Sequence, residues 1–214
     1  MRKGIILAGG SGSRLFPLTF AVTKQLLPIH DKPMIYYPLA TLLELGISDI
    51  LIITTKQDQS HFKELLGNGT NFGISLSYEI QSKPNGIAEG LIIAEKFLSN
   101  NSCAFILGDN LFIGSLDRFS LNEEVFEENG ATIFTYEVTD PERYGVVQLD
   151  QHGKPIGIEE KPLNPITNQA ITGLYFYDNQ AVEIAKSLHP SKRGELEITD
   201  INKYYMEKSQ LRVQ

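Results

Sequence analysis

Apolar residues along this chain fall in short runs separated by helical patterns. Gly4-Ile5-Ile6-Leu7 has the length and β-branched content of a buried strand and stops abruptly at Ala8-Gly9-Gly10. Residues 32–45 place Met34, Ile35, Leu39, Leu42 and Leu43 at helical spacing, with Gly46 as the stop. Pro33 suits the first turn of that helix, and Pro38 predicts a kink. Residues 49–54 read as a buried strand, 58–66 as a short helix, and 67–73 as a glycine- and asparagine-rich loop. Residues 74–80 alternate apolar and polar as a half-exposed strand does. Gly86 opens a helix to about Phe97, and Cys103 to Leu107 is the cleanest buried strand. Residues 131–138 read as a strand. Gly153-Lys154 marks a hairpin turn, followed by apolar and acidic residues 156–159 and a strand over 171–177. Residues 179–188 are helical in pattern, Thr199 is placed to cap a helix over 200–208, and 211–214 start a strand. This order of strands and helices is that of a wound α/β sheet, whose ligands bind beyond the carboxyl ends of its strands. No repeat, low-complexity segment or linker interrupts the chain, so residues 1–214 read as one domain.

Composition narrows the classes. With 42% hydrophobic and 21% charged residues over 214 positions, the chain has the make-up of a water-soluble domain with a real core. A net charge of -7 argues against nucleic acid or an anionic membrane as partner, since both call for a basic face. The single cysteine, Cys103, forms no internal disulfide and lies in an apolar run, which fits a core position and a reducing compartment. The apolar run after Arg2 and Lys3 is too short for a signal peptide, and nothing approaches the ~18 residues of a membrane span, so the expected location is cytoplasmic.

Candidate chemistry begins where the first strand ends. Gly9, Gly10, Ser11, Gly12 and Ser13 form a loop whose backbone can adopt positive φ and let a ligand approach. Bare N–H groups from such a loop make a concave anion site, and Arg14 and Lys24 add two cations. An ordinary strand-to-helix turn is the alternative, although such a turn needs no cations. GxxxxGK[ST], GxGxxG and GxSxG are all absent, which argues against a P-loop, a dinucleotide fold and a nucleophile elbow. Further on, Gln81 stands at a strand end beside Pro84-Asn85-Gly86. Its amide, both donor and acceptor, suits a base edge, or the segment is a plain exposed turn. Asp109, in Gly108-Asp109-Asn110 after the cleanest strand, is either a turn former or a hard-oxygen ligand for Mg²⁺. Glu123, Glu124, Glu127 and Glu128 read as a solvated helix face. His30, His61, His152 and His189 are scattered, and one cysteine makes no zinc site.

Gly9-Gly10-Ser11-Gly12-Ser13-Arg14-Leu15-Phe16-Pro17-Leu18-Thr19, followed by Lys24-Gln25-Leu26-Leu27-Pro28, resembles the signature of the sugar nucleotidyltransferases, most closely the branch that uses dTTP and glucose-1-phosphate. The similarity continues through residues 81–86, Gly108-Asp109-Asn110, Arg143-Tyr144-Gly145, Glu159-Glu160-Lys161-Pro162 and residues 194–200. It covers essentially the whole chain. It implies a Rossmann-like three-layer α/β nucleotidyltransferase fold with a mostly parallel mixed central sheet. It also implies Mg²⁺ as cofactor and formation of dTDP-glucose and pyrophosphate. By this resemblance Leu7, the 9–14 loop, Gln25, Gln81, Pro84 and Gly86 bind the nucleotide. Arg14, Lys24 and Asp109 are the catalytic residues, and Asp109 is also the metal ligand. Asn110, Gly145, Glu160, Lys161, Ile171, Tyr175 and Arg193 take the sugar phosphate. Ala88-Glu89-Gly90 departs from the family's small-residue run. Family members also run past the segment matching residues 211–214 to a second metal-binding aspartate in a WLDTG-like motif, and this chain ends before it. The expectation is either a shortened form or a chain that holds metal with Asp109, phosphates and water alone. Association into a homo-oligomer is expected from apolar surface left beside such a strand. Two other readings stay open: a transferase using UTP or CTP, and a non-catalytic nucleotide-binding homologue with a regulatory or assembly role.

Overall fold

The apolar runs become strands because both faces of the sheet they form are covered. The computed structural model describes residues 2–10, 12, 15–113 and 129–214. Strand β1 (Lys3–Ala8) lies in parallel between β4 (Asp49–Thr54) and β6 (Cys103–Leu107), and β5 (Ser75–Ile80) extends the sheet beyond β4. On the other side β10 (Gln169–Tyr177) runs antiparallel to both β6 and β7 (Ala131–Glu137), and β11 (Leu211–Val213) pairs in parallel with β7. In the resulting order β11-β7-β10-β6-β1-β4-β5, only β10 is reversed. Strands β8 (Gly145–Leu149) and β9 (Pro155–Glu160) form an antiparallel hairpin that joins the sheet through β10. The expected mostly parallel mixed α/β sheet is therefore observed. A separate two-stranded ribbon, β2 (Pro28–Ile29) with β3 (Lys32–Pro33), stands apart.

Successive residues of the central strands alternate between two cores, as the two-residue period of a strand requires. Ile5, Leu7, Leu51, Ile53, Cys103 and Phe105 face one core with Leu91, Ala185, Ile201 and Tyr205. Ile6, Ile50, Ile52, Ala104 and Ile106 face the other with Leu39, Leu42, Phe62 and Leu66. Helices α3 (Glu89–Ile93), α5 (Ala181–Ser187) and α6 (Ile198–Glu207) thus cover one face, and α1 (Tyr36–Glu44) and α2 (Gln59–Leu66) the other. Burial on both faces explains why β1, β4 and β6 lack the alternation of a half-exposed sheet. Burial also pushes the Cys103 thiol up to about 12, leaving it inert in the core.

Several elements differ from the sequence-based expectation. The first helix begins at Tyr36, not near Lys32, because Lys32-Pro33 is taken by the β2–β3 ribbon. Pro38 then falls in the first helical turn, where a missing N–H leaves no intrahelical bond unmade. The helix expected from Gly86 starts at Glu89 and divides at Ala94, with α4 (Glu95–Leu98) as its second piece. Glu197, not Thr199, is the residue before α6. Thr199 is buried inside that helix, and its hydroxyl lacks a hydrogen-bond partner among the described residues. The acidic segment with Glu123, Glu124, Glu127 and Glu128 lies outside the described residues.

Helix α6 is tied to the sheet by polar groups that burial makes expensive to leave unpaired. The Asp178 carboxylate, at the end of β10, accepts from the Tyr205 hydroxyl, from Gly130 N–H at 2.7 Å and from Gln180 N–H at 2.9 Å. The Tyr177 hydroxyl donates to Asn202 at 2.6 Å, and the rings of Tyr177 and Tyr205 stack at 5.9 Å. Tyr205→Phe removes one donor from a buried carboxylate and should destabilise the fold by about 1–3 kcal/mol in urea unfolding, with little change in the slope of the transition. A loss below about 0.5 kcal/mol would contradict this role for the hydroxyl.

Candidate functional site

The parallel strands β5, β4, β1 and β6 end on one edge of the sheet, and among the expected site residues Gly9, Gln81 and Asp109 directly follow three of those ends or lie one residue beyond. Gly108 brings two of these ends together. A Cβ built on Gly108 would lie 3.1 Å from the Ala8 backbone, and Gly108 N–H donates to Leu7 O at 2.9 Å. The chain leaving β1 and the chain leaving β6 are thereby held side by side. Lys24 Nζ, reached through the segment after the glycine loop, pairs with Asp109 Oδ2 at 3.0 Å. Both side chains are about one-third exposed, so their charges remain available to a ligand. Asn110 Nδ2 donates to the other Asp109 oxygen at 3.3 Å, and Asn110 Oδ1 accepts from Gly173 N–H at 3.0 Å. Gly173 lies at a break in the register of β10 against β7, and a Cβ there would strike the Asn110 side chain at 2.7 Å.

The loop after β1 is open where it is described. Gly10 has φ +117° and no atom within 4 Å of a built Cβ, so its backbone faces free space. Gly12, at φ +57°, is closed over by Thr19, whose hydroxyl donates to Gly12 O at 2.8 Å. Ser11, Ser13 and Arg14 lie outside the described residues. Leu7 is buried in β1. Gln25 is also buried, reaching back to Gly9 O at 3.4 Å while its carbonyl accepts from the Thr23 hydroxyl at 2.8 Å.

A cleft of about 660 Å³ opens beside this loop, lined by Gly10, Thr55, Gln57, Gln81, Lys83 and Pro84 among others. Gln81 forms its wall at the end of β5. Its amide nitrogen donates to Gly86 O at 3.1 Å and to Glu89 Oε2 at 2.7 Å. Gly86 closes the turn at φ +110°, and a Cβ there would lie 2.3 Å from Leu196 O. The same turn is bonded to the far segment by Leu196 N–H to Asn85 O at 2.6 Å and Ala88 N–H to Leu196 O at 3.2 Å.

That far segment carries the second charged group. Glu160 Oε1 lies 3.2 Å from Arg193 Nη1 and 3.5 Å from Lys161 Nζ. Arg193 also pairs with Glu195 and stands 3.7 Å from Glu197. Glu197 is nearly buried and accepts from the Ser191 hydroxyl at 2.7 Å. Lys161 takes φ +43°, uncommon for a residue with a side chain, which turns the chain out of β9 at this point. Gly145 faces Glu160 across the β8–β9 ladder, and a Cβ there would strike Thr199 at 2.7 Å. Ile171 and Tyr175 are buried beneath these residues, part of the core rather than standing open. Burial, and secondarily the nearby Glu160 charge, raises the Tyr175 hydroxyl well above its ordinary value and keeps it protonated.

The arrangement thus has a glycine turn open at Gly10, a Lys–Asp pair about one-third exposed, a cleft walled in part by Gln81, and a separate cation pair on a glutamate. The nucleotidyl transferase family model matches residues 3–214. The chain belongs to the nucleotidyl transferase family. A glucose-1-phosphate thymidylyltransferase of Neisseria meningitidis is 54% identical over 212 residues, covering 99% of this chain and 74% of that protein. One from Mycolicibacterium smegmatis is 50% identical over 217 residues, covering 99% and 73%. A Bacillus anthracis crystal structure described as a glucose-1-phosphate thymidylyltransferase in complex with a sucrose superimposes with a TM-score of 0.92 at 43% identity. It covers 100% of this chain and 86% of that one. A UDP-glucose pyrophosphorylase at 24% identity and TM-score 0.83 shares the fold. Among the described residues of this nucleotidyltransferase, no helix is long and apolar enough to cross a membrane.

Sequence reasoning passed over Glu89, Glu195 and Glu197. Each stands in a segment the similarity touches, but an acidic side chain gives no local sign of its distant partner. Gly86→Ala tests whether the turn and the far segment are as close as described. It places a Cβ against Leu196 O and forces a strained φ, and should cost more than ~2 kcal/mol of stability by denaturant unfolding. A variant as stable as the parent would show that this contact is not made.

Proposed function

We propose that this chain transfers a thymidylyl group from dTTP to glucose-1-phosphate, giving dTDP-glucose and pyrophosphate. The observation that carries the reading is the Lys24–Asp109 pair beside the glycine loop, with a second cation pair on Glu160, in a chain about half identical to thymidylyltransferases over nearly its whole length. One catalytic domain spans residues 1–214 on this reading.

Two anions must meet, so the difficulty is repulsion and the charge that builds on the leaving group. A phosphate oxygen of the sugar-1-phosphate attacks the α-phosphorus while the bond to the bridging oxygen of the β-phosphate breaks, and pyrophosphate departs in line. No covalent enzyme intermediate and no general acid is needed, because pyrophosphate leaves as a stabilised anion; positioning and electrostatic stabilisation suffice. The backbone amides of residues 9–14 and the Arg14 guanidinium bind the triphosphate. Lys24, steadied by Asp109, offsets charge at the α-phosphate. Pro84, Gln81 and Gly86 receive the pyrimidine, with Leu7 and Gln25 supporting the loop beneath it. Lys161 and Arg193 hold the incoming phosphate, Asn110, Glu160 and Gly145 meet the sugar, and Ile171 and Tyr175 back this surface from the core.

Asp109 also suits Mg²⁺. It is a hard-oxygen donor about one-third exposed, and among the described residues no cluster of three or more His, Cys, Asp or Glu could form a full protein cage. One carboxylate with ligand phosphates and water is an ordinary way for a protein to hold that ion. When bound, the ion would neutralise phosphate charge and polarise the α-phosphoryl group.

Pyrophosphate release with glucose-1-phosphate and each of dTTP, UTP and CTP tests the reading. The expected outcome is turnover fastest with dTTP; release only with UTP or CTP, or none with any nucleotide, would overturn it. Lys24→Ala should lower turnover by about 10²–10³-fold, the scale of losing a donor aimed at developing charge. Turnover equal to that of the parent would remove Lys24 from the mechanism.

A further inference from the structure

Glu89 lies outside the cleft wall, yet it fixes the chemistry that the wall presents. The Gln81 amide nitrogen carries two hydrogens, and both are taken, one by Gly86 O and one by Glu89 Oε2. Turning the amide over would set its oxygen against a carbonyl and a carboxylate with no proton between them. Glu89 is itself held, because its other oxygen accepts from Asn85 Nδ2 at 2.7 Å. Gln81 is only 8% exposed, so it cannot find water partners in the inverted position. What remains is the carbonyl oxygen of a residue that lines the cleft. No donor among the described residues reaches it, and it lies 3.0 Å from where a Cβ on Gly9 would stand. The cleft wall therefore offers an acceptor and withholds a donor.

We infer that Glu89 selects the pyrimidine edge by locking Gln81 as an acceptor, which favours a base with an N3–H and disfavours one with an N3 lone pair. This rests on the proposed reading of the cleft as the base site. Thymine and uracil present N3–H to the oxygen. Cytosine presents a lone pair to it; shifted to offer its 4-amino group instead, it leaves N3 without a donor, because both amide hydrogens of Gln81 are committed. A site built around one hydrogen bond rejects the analogue that cannot make it. Glu89 is a positioning residue in this scheme, acting on the base only through Gln81.

Calorimetric binding of dUTP and dCTP separates this from a structural role, since the pair differs only at the C4 and N3 edge. The wild type should bind dUTP at least about tenfold more tightly than dCTP, the scale of one unpaired buried polar group. Glu89→Gln removes the carboxylate's opposition to the inverted amide, because the new side chain can donate or accept, and leaves only Gly86 O against it. Glu89→Ala removes one of the two acceptors that hold the amide and leaves Gly86 O as the other. Both variants should narrow the preference to about threefold or less, and in Glu89→Gln by a gain in dCTP affinity, which damage to the fold would not produce. Folded variants that keep the wild-type ratio, or a wild type that binds both nucleotides equally, overturn the inference while leaving the cleft a nucleotide site. A wild type that binds neither nucleotide overturns both the inference and the reading of the cleft.

Discussion

The arrangement depends on how closely the ends of β1 and β6 approach. Their ladder runs in register from Lys3 with Cys103 to Leu7 with Leu107, and Gly108 then packs against Ala8 so closely that a Cβ would lie 3.1 Å from it. Two chain exits are thus held level. One leads into the glycine loop and on to Lys24, the other into Asp109 and Asn110. A cation and an anion separated by 85 positions in sequence meet at 3.0 Å because the sheet places them there. A shift of one residue in this register would turn every side chain of the strand to the opposite core, so the same apolar pattern that stabilises the sheet also fixes the site.

The remaining parts are joined by further close approaches at glycine. Gly173 admits the Asn110 side chain into β10, which ties the β6 exit to the reversed strand. Gly86 admits the backbone of Leu196, which ties the Gln81 turn to the segment bearing Arg193 and Glu195. These contacts connect the cleft wall, the Lys–Asp pair and the Glu160 cluster through backbone and buried groups rather than through exposed ion pairs, which contribute little by themselves. A site held this way is preorganised, and preorganised charge is what a reaction between two anions requires.

What could be read in advance follows from where each signal resides. Strands 49–54 and 103–107 agree with the sequence reading residue for residue, because burial on both faces makes the whole run apolar. The glycine loop and Asp109 were legible from strand ends followed by glycine. Local pattern failed where a distant partner decided the outcome. Lys32-Pro33 looked like a helix start, but pairing with Pro28-Ile29 made it a ribbon. Thr199 looked like a cap, but it is the second residue of the helix, buried by tertiary packing. Ile171 and Tyr175 are buried in the core, a placement that strand alternation alone does not distinguish from a pocket wall. The bond between Gln81 and Glu89 crosses a turn containing Pro84 and Gly86, so no helical or strand spacing announces it.

The central claim is that the strand ends of one sheet edge form a single cradle, with the phosphates at the loop after β1 and the base at Gln81. A crystal structure of the protein with dTTP tests this most directly. The account predicts a triphosphate against the 9–14 amides and Lys24, with thymine N3 facing the Gln81 carbonyl oxygen. A dTTP molecule ordered elsewhere on the protein, with this edge bare, would contradict it.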